Sequence, residues 1–241
     1  EAVPGDDGPV GLISQSGGHA EFFTRYAPEF GIAFSKAISF GNGLVMDSTD
    51  FLEYLGTDPE TRIICMYLEG VRSGASLLLL ARDISPRKPI IIWKGGLTNL
   101  GARAAASHTG SLAGQEAIWN AFFKQTGSIR VNSMDELADT AMTFMCLPAA
   151  AGRRVAVVGG GGGNAVAAAD TCAREGLDVP LLGEATRAGL RTFVRAAGSS
   201  IKNPLDIDRA IMNLDLFRRT LKLLVADPAI DAIWLCGPNQ A

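Results

Sequence analysis

The chain has only two histidines in 241 residues. One of them, His108, stands in SHTGSLAG among small and hydroxylic residues. It follows the strand-like run ending at Lys94, and the carboxyl end of a parallel strand is where an open α/β sheet puts its ligands, the competing reading being an exposed loop histidine. Two further stretches, SQSGGHAEFF and GGGGGNAVAA, have the makings of anion cradles. Each lies where an apolar, strand-like run gives way to a helical pattern. The unpaired N–H groups of a first helical turn, with the positive end of the helix dipole, favour a negative group there. In the first turn the candidate contacts are Ser14, Gln15, Ser16, Gly17 and Gly18; in the second they are Gly160, Gly161, Gly162, Gly163 and Asn164. Gly110, in the histidine loop, joins them. The competing reading is that glycine merely permits a tight strand-to-helix turn.

Several better-known chemistries do not fit these residues. Neither turn is a dinucleotide fingerprint, because no acidic residue closes a second strand about 20 residues later, and neither is a Walker A loop, because no GK[ST] follows. SQSGG lacks the preceding glycine of a nucleophile elbow, which argues against a serine triad. The four cysteines (Cys65, Cys146, Cys172, Cys236) lie singly in apolar segments without metal-ligand spacing. They are expected to be reduced core residues in a cytoplasmic protein, with no metal site.

The elements that must position these residues alternate between two periods. VGLIS, IICMYLE, PIIIWK and IRV read as strands, with helical patterns between them, and that alternation predicts an α/β fold with parallel sheets. Ser133 and Glu136 have the spacing of a capping box. LPAAAGRR at 147–154 breaks the pattern and a new βα series begins at VAVVGG. Two domains are therefore expected, 1–150 and 151–241, the second incomplete. KNPLDI at 202–207 reads as a turn. The composition, 47% apolar and 20% charged with a net charge of −3, is that of an ordinary globular chain. Scattered Lys and Arg predict no nucleic-acid partner and no anionic-membrane patch, and no apolar run is long enough to span a bilayer. A start at Glu1 and an end just past a strand-like run suggest a piece of something longer.

VGLISQSGG, MYLEGV, ARAAASHTGSLAG, VAVVGGGGGNAVAAADTCAREGLDVPLLGEATRAGLR and NPLDI, in that order, resemble the NDP-forming acyl-CoA synthetases. That family includes ADP-forming acetyl-CoA synthetase and is related to succinyl-CoA synthetase. The resemblance implies two flavodoxin-like CoA-ligase domains. It also implies partners, a CoA-binding Rossmann domain and an ATP-grasp domain, in an oligomeric enzyme. The substrates would be a small carboxylic acid, CoA and ATP or ADP with Mg²⁺, none held tightly by this chain alone. By the resemblance, the acid is activated as an acyl phosphate, CoA displaces phosphate, and the phosphoryl group travels on His108. Glu69 would hydrogen-bond that histidine, and the helices after the two glycine-rich turns would face it.

There are departures from the family. Leu97 stands where an arginine is expected, while Lys94 and Arg103 remain. His19 replaces a small or aliphatic residue and reads as a surface residue of a first helical turn. Asn203 and Asp206 read as polar supports. Two other functions stay open at this level: a non-catalytic regulatory module of the same fold, and a flavin- or nucleotide-binding flavodoxin-like protein.

Overall fold

The computed structural model describes residues 7–98, 100–101, 115–159, 161–194, 199–207 and 213–236. The chain divides into two compact units, Glu1–Pro148 and Ala149–Ala241. His108, Arg103, Gly110 and Gly160 lie outside the described residues.

The first unit is a five-stranded parallel sheet of β1 (Val10–Ser14), β2 (Phe34–Ser39), β3 (Ile63–Leu68), β4 (Ile90–Lys94) and β5 (Ile129–Val131). Its order is β2-β1-β3-β4-β5, the doubly wound flavodoxin-like arrangement. β1 and β3 are buried along their whole length, as expected where helices cover both faces of a parallel sheet. Alternate side chains serve opposite faces. Val10, Leu12, Ile63, Cys65 and Ile91 pack with α1 (Gly17–Tyr26) and α5 (Met134–Cys146). Ile13, Ile64, Met66, Ile90 and Ile92 pack with α2 (Ser48–Thr57), α3 (Gly74–Ile84) and α4 (Glu116–Thr126).

β2 is absent from the strand pattern read in the sequence. It is an edge strand, partly or fully exposed along its length, and its FSKAIS carries a single β-branched residue, so neither alternation nor an apolar run marks it. The expected cap at α5 forms with a variation. Ser133 Oγ accepts from the Glu136 amide at 3.1 Å, while the Glu136 carboxylate reaches back to the Asn132 amide at 2.7 Å. A full capping box closes instead at α2, between Asp47 and Asp50.

Among the described residues the second unit holds three parallel strands, β6 (Val155–Gly159), β7 (Leu205–Asp206) and β8 (Ala232–Cys236), in the order β7-β6-β8. With them are α6 (Gly162–Arg174), α7 (Glu184–Arg191) and α8 (Leu214–Val225). The stretch read as a turn contains β7, whose two residues pair with Val158 and Gly159; two residues after a proline are too few to show a period. Trp234 and Leu235 of β8 are substantially exposed. The cysteine expectation needs one correction: Cys65 and Cys172 are buried, but Cys146, in the last turn of α5, is exposed. Among the described residues no helix is long and apolar enough to cross a membrane.

Candidate functional site

In a doubly wound sheet, ligands meet the carboxyl ends of the strands, where the helices that follow begin. At the end of β1, Ser14 is fully buried, and its hydroxyl donates to the Ser16 carbonyl at 2.7 Å and accepts from the Ser16 amide at 3.2 Å. The bend so formed places Ser16 as the N-cap of α1, its hydroxyl accepting from the His19 amide at 3.3 Å. Gly17 and Gly18, the first two helical residues, are exposed. The turn therefore presents an open helix N-terminus.

Gln15 has a different task from the one its neighbours suggest. Its backbone N–H donates to the Tyr67 carbonyl at 3.0 Å. Its side-chain oxygen accepts from the amides of Glu69 at 2.7 Å and Gly70 at 2.9 Å. The oxygen is thus spent on fixing the backbone that carries Glu69, one strand away. The Glu69 carboxylate accepts from the Tyr67 hydroxyl at 3.1 Å, and burial together with this carboxylate pushes the Tyr67 hydroxyl well above its usual range. The Glu69 carbonyl accepts from the Lys94 ammonium at 2.8 Å. Tyr67 as a carboxylate donor was missed in the sequence, although it stands only two residues before Glu69, near the end of β3.

His19 corrects an expectation. It is not a free surface residue: helical side chains lean back toward the N-terminus, and its ring stacks on Tyr67 at 4.1 Å and meets Trp93 edge-on at 4.8 Å. Tyr67 and Trp93 are register partners on β3 and β4. His19 Nδ1 is buried without a hydrogen-bond partner among the described residues. Desolvation lowers the pKa of the ring, against the opposing pull of Glu69. Leu97, standing where an arginine was expected, is partly buried against the core beside α2, α3 and α4.

In the second unit Gly161 takes φ 135°, ψ 133°, a conformation that in practice requires glycine. Its amide donates to the Asp206 carboxylate at 3.2 Å, so a carboxylate of the chain itself already faces this helix N-terminus. Gly162, Gly163 and Asn164 form the first turn of α6. Asn203 is buried and ties β6 to its surroundings: its oxygen accepts from the Val157 amide at 2.9 Å, and its amide group donates to the carbonyls of Val155 at 2.7 Å and Pro180 at 2.9 Å. Among the described residues no cluster of three or more His, Cys, Asp or Glu side chains could hold a metal ion.

A strand-end glutamate fastened by its neighbours, beside a serine-capped helix N-terminus in a 2-1-3-4-5 sheet, invites comparison with known proteins. Residues 7–144 match the succinyl-CoA ligase-like flavodoxin domain. The chain belongs to this family. Among curated relatives of this succinyl-CoA ligase-like chain is the alpha subunit of acetate–CoA ligase (ADP-forming) II from Pyrococcus furiosus. It is 38% identical over 94% of this chain and 49% of its own length. Acetate–CoA ligase (ADP-forming) I from Archaeoglobus fulgidus is 35% identical over 96% of this chain and 33% of its own length. The solved structure of the dinucleotide-forming acetyl-coenzyme A synthetase 1 of Ca. Korarchaeum cryptofilum, in complex with phosphate and ADP, superposes with a TM-score of 0.86 at 34% identity. The match covers 95% of this chain and 49% of that one. The succinyl-CoA ligase-like chain thus spans half or less of the length of these relatives.

Proposed function

We propose that this chain is the phosphoryl-relay part of an NDP-forming acyl-CoA synthetase, which reversibly converts a small carboxylic acid, CoA and ATP into acyl-CoA, ADP and phosphate. The observation that carries the reading is Glu69: its amide, carbonyl and carboxylate are each engaged, at the crest of the sheet beside the Ser16-capped helix. A carboxylate held so firmly suits a group that must orient an imidazole, keep one tautomer and support the cationic ring formed when a phosphoryl group is accepted.

The phosphoryl acceptor in this reading is His108. In the direction of ATP synthesis, phosphate displaces CoA from acyl-CoA to give an acyl phosphate. The imidazole nitrogen then attacks the phosphorus, releasing the carboxylate, and ADP finally takes the phosphoryl group from the ring. In this reading the helix N-terminus at Ser16–Gly18 supplies positive potential to the phosphoryl oxygens, worth up to about 2 kcal/mol in partly buried geometry. The turn at Gly161–Asn164 is a separate candidate anion contact within the second unit, where Asp206 already faces the helix N-terminus. CoA and the nucleotide with its Mg²⁺ are assigned to a CoA-binding Rossmann domain and an ATP-grasp domain, within a longer chain or on another subunit.

The test uses the complete enzyme. Labelled ATP and Mg²⁺ should leave an acid-labile, base-stable phosphate on this chain, and His108→Asn should abolish it. Glu69→Gln should lower kcat about 100-fold with the fold intact, since an amide can keep a hydrogen bond but cannot support the cationic ring. Label that survives His108→Asn, or release of AMP through an acyl adenylate, would refute the assignment.

A further inference from the structure

A lysine at the end of a buried parallel strand needs a reason, because its charge must leave water. Lys94 closes β4 and is only 5% exposed. Its ammonium donates to the Glu69 carbonyl at 2.8 Å and to the carbonyl of Gly95. From the α4 side, Trp119 presents its ring with the centroid 5.3 Å from the ammonium nitrogen, a placement in which the ring's electron-rich face attracts a cation. The ammonium is therefore cradled between two carbonyls and an aromatic ring. The carbonyl of the next strand that it grips belongs to Glu69.

The other constraints on Glu69 are neutral: the Gln15 oxygen takes its amide and that of Gly70, and the Tyr67 hydroxyl takes its carboxylate. We infer that Lys94 is a positioning residue for Glu69, a cationic pin that sets the direction of the carboxylate, so that the site works only while the ammonium is charged. The catalytic consequence rests on the function proposed above; the pin itself is a property of this chain.

The surroundings favour easy discharge. Burial brings Lys94 down to about 8, with the Glu69 charge opposing. Tyr67, two residues before Glu69, is pushed up and stays a neutral donor. His19, from α1, is kept neutral by burial and feels the same Glu69. On α4, Glu116 is engaged by Arg130 of β5 at 3.0 Å. Lys94 is therefore the cation at this crest, among the described residues, whose charge is lost in mildly alkaline solution.

The experiment has two arms. In the isotope-labelled 241-residue chain, NMR follows the backbone amides of Glu69 and Gly70 and the Glu69 carboxyl carbon from about pH 6.5 to about pH 10. These signals should share a midpoint near 8 in the native chain. The midpoint should vanish in Lys94→Met, and also in Lys94→Gln, which keeps an N–H donor without the charge. A midpoint that survives in either variant, or a Lys94 ammonium that titrates at its ordinary value of 10.5, would overturn the pin. In the complete enzyme, both variants should lower kcat about 10- to 100-fold with KM values little changed, and the alkaline limb of the native kcat profile near pH 8 should disappear. Variants that keep native kcat and its pH profile would overturn the catalytic consequence. A complete native enzyme that makes no acyl-CoA would instead sink the proposed function, and the NMR arm would still decide the pin.

Discussion

At the scale of single residues, Glu69 shows how little of a site's accuracy resides in the reacting group. Its direction is set by Gln15 from one strand end, Lys94 from another, and Tyr67 from two residues before it. His19 sits within the same crest but leaves Nδ1 buried and unpaired among the described residues, which carries a desolvation cost of about 1–3 kcal/mol. His19→Phe keeps a flat ring against Tyr67 and Trp93 and removes that orphan nitrogen. It should raise stability by about 1 kcal/mol in urea unfolding at pH 7 and leave phosphorylation of the complete enzyme unchanged. The gain should grow on acidification. Because the folded-state pKa of His19 is lowered, the unfolded chain binds more protons below pH 6.5, and the native protein loses stability there while the variant does not. A gain that is flat with pH would mean that His19 is not held neutral.

At the scale of elements, α1 opens with two glycines, each about 1 kcal/mol poorer than alanine in a helix interior. The start of the helix therefore depends on its cap. Ser16→Ala removes the acceptor for the His19 amide and should cost about 1 kcal/mol. Faster amide exchange should be confined to the first turn of α1. An unchanged denaturation midpoint would show that the glycines, not the cap, set this terminus.

At the scale of the whole molecule, all five strands of the first sheet come from the first unit, and each pairs with neighbours inside it. The strands carry one apolar cluster on each face of that sheet, enough for an independent domain of ordinary size. Residues 1–148 expressed alone should therefore melt in one cooperative transition with the far-UV spectrum of a parallel α/β protein. A non-cooperative melt would mean that this unit needs the second one to fold.

The strand and helix periods of the chain were enough to announce a parallel α/β fold, because VGLIS and IICMYLE are apolar along strands buried on both faces and the helices between them carry one apolar stripe. The residue types of SQSGG and of the second glycine-rich turn were enough to raise anion binding, whereas phosphoryl transfer on SHTGSLAG and the role of Glu69 in MYLEGV came from the family resemblance. Two edge strands did not announce themselves in this way: β2 is half solvated and β7 is two residues long, so neither needs a periodic apolar code. Nor do one-dimensional patterns say which side chains meet. Gln15 and Glu69 are 54 residues apart in sequence and come together only because β1 pairs with β3. Lys94 reaches Glu69 only because β4 lies beside β3 with Leu68 opposite Lys94. The chemistry available was written in residue types, which act locally. The direction of the carboxylate was decided by strand order and register, which emerge only when distant segments share one sheet.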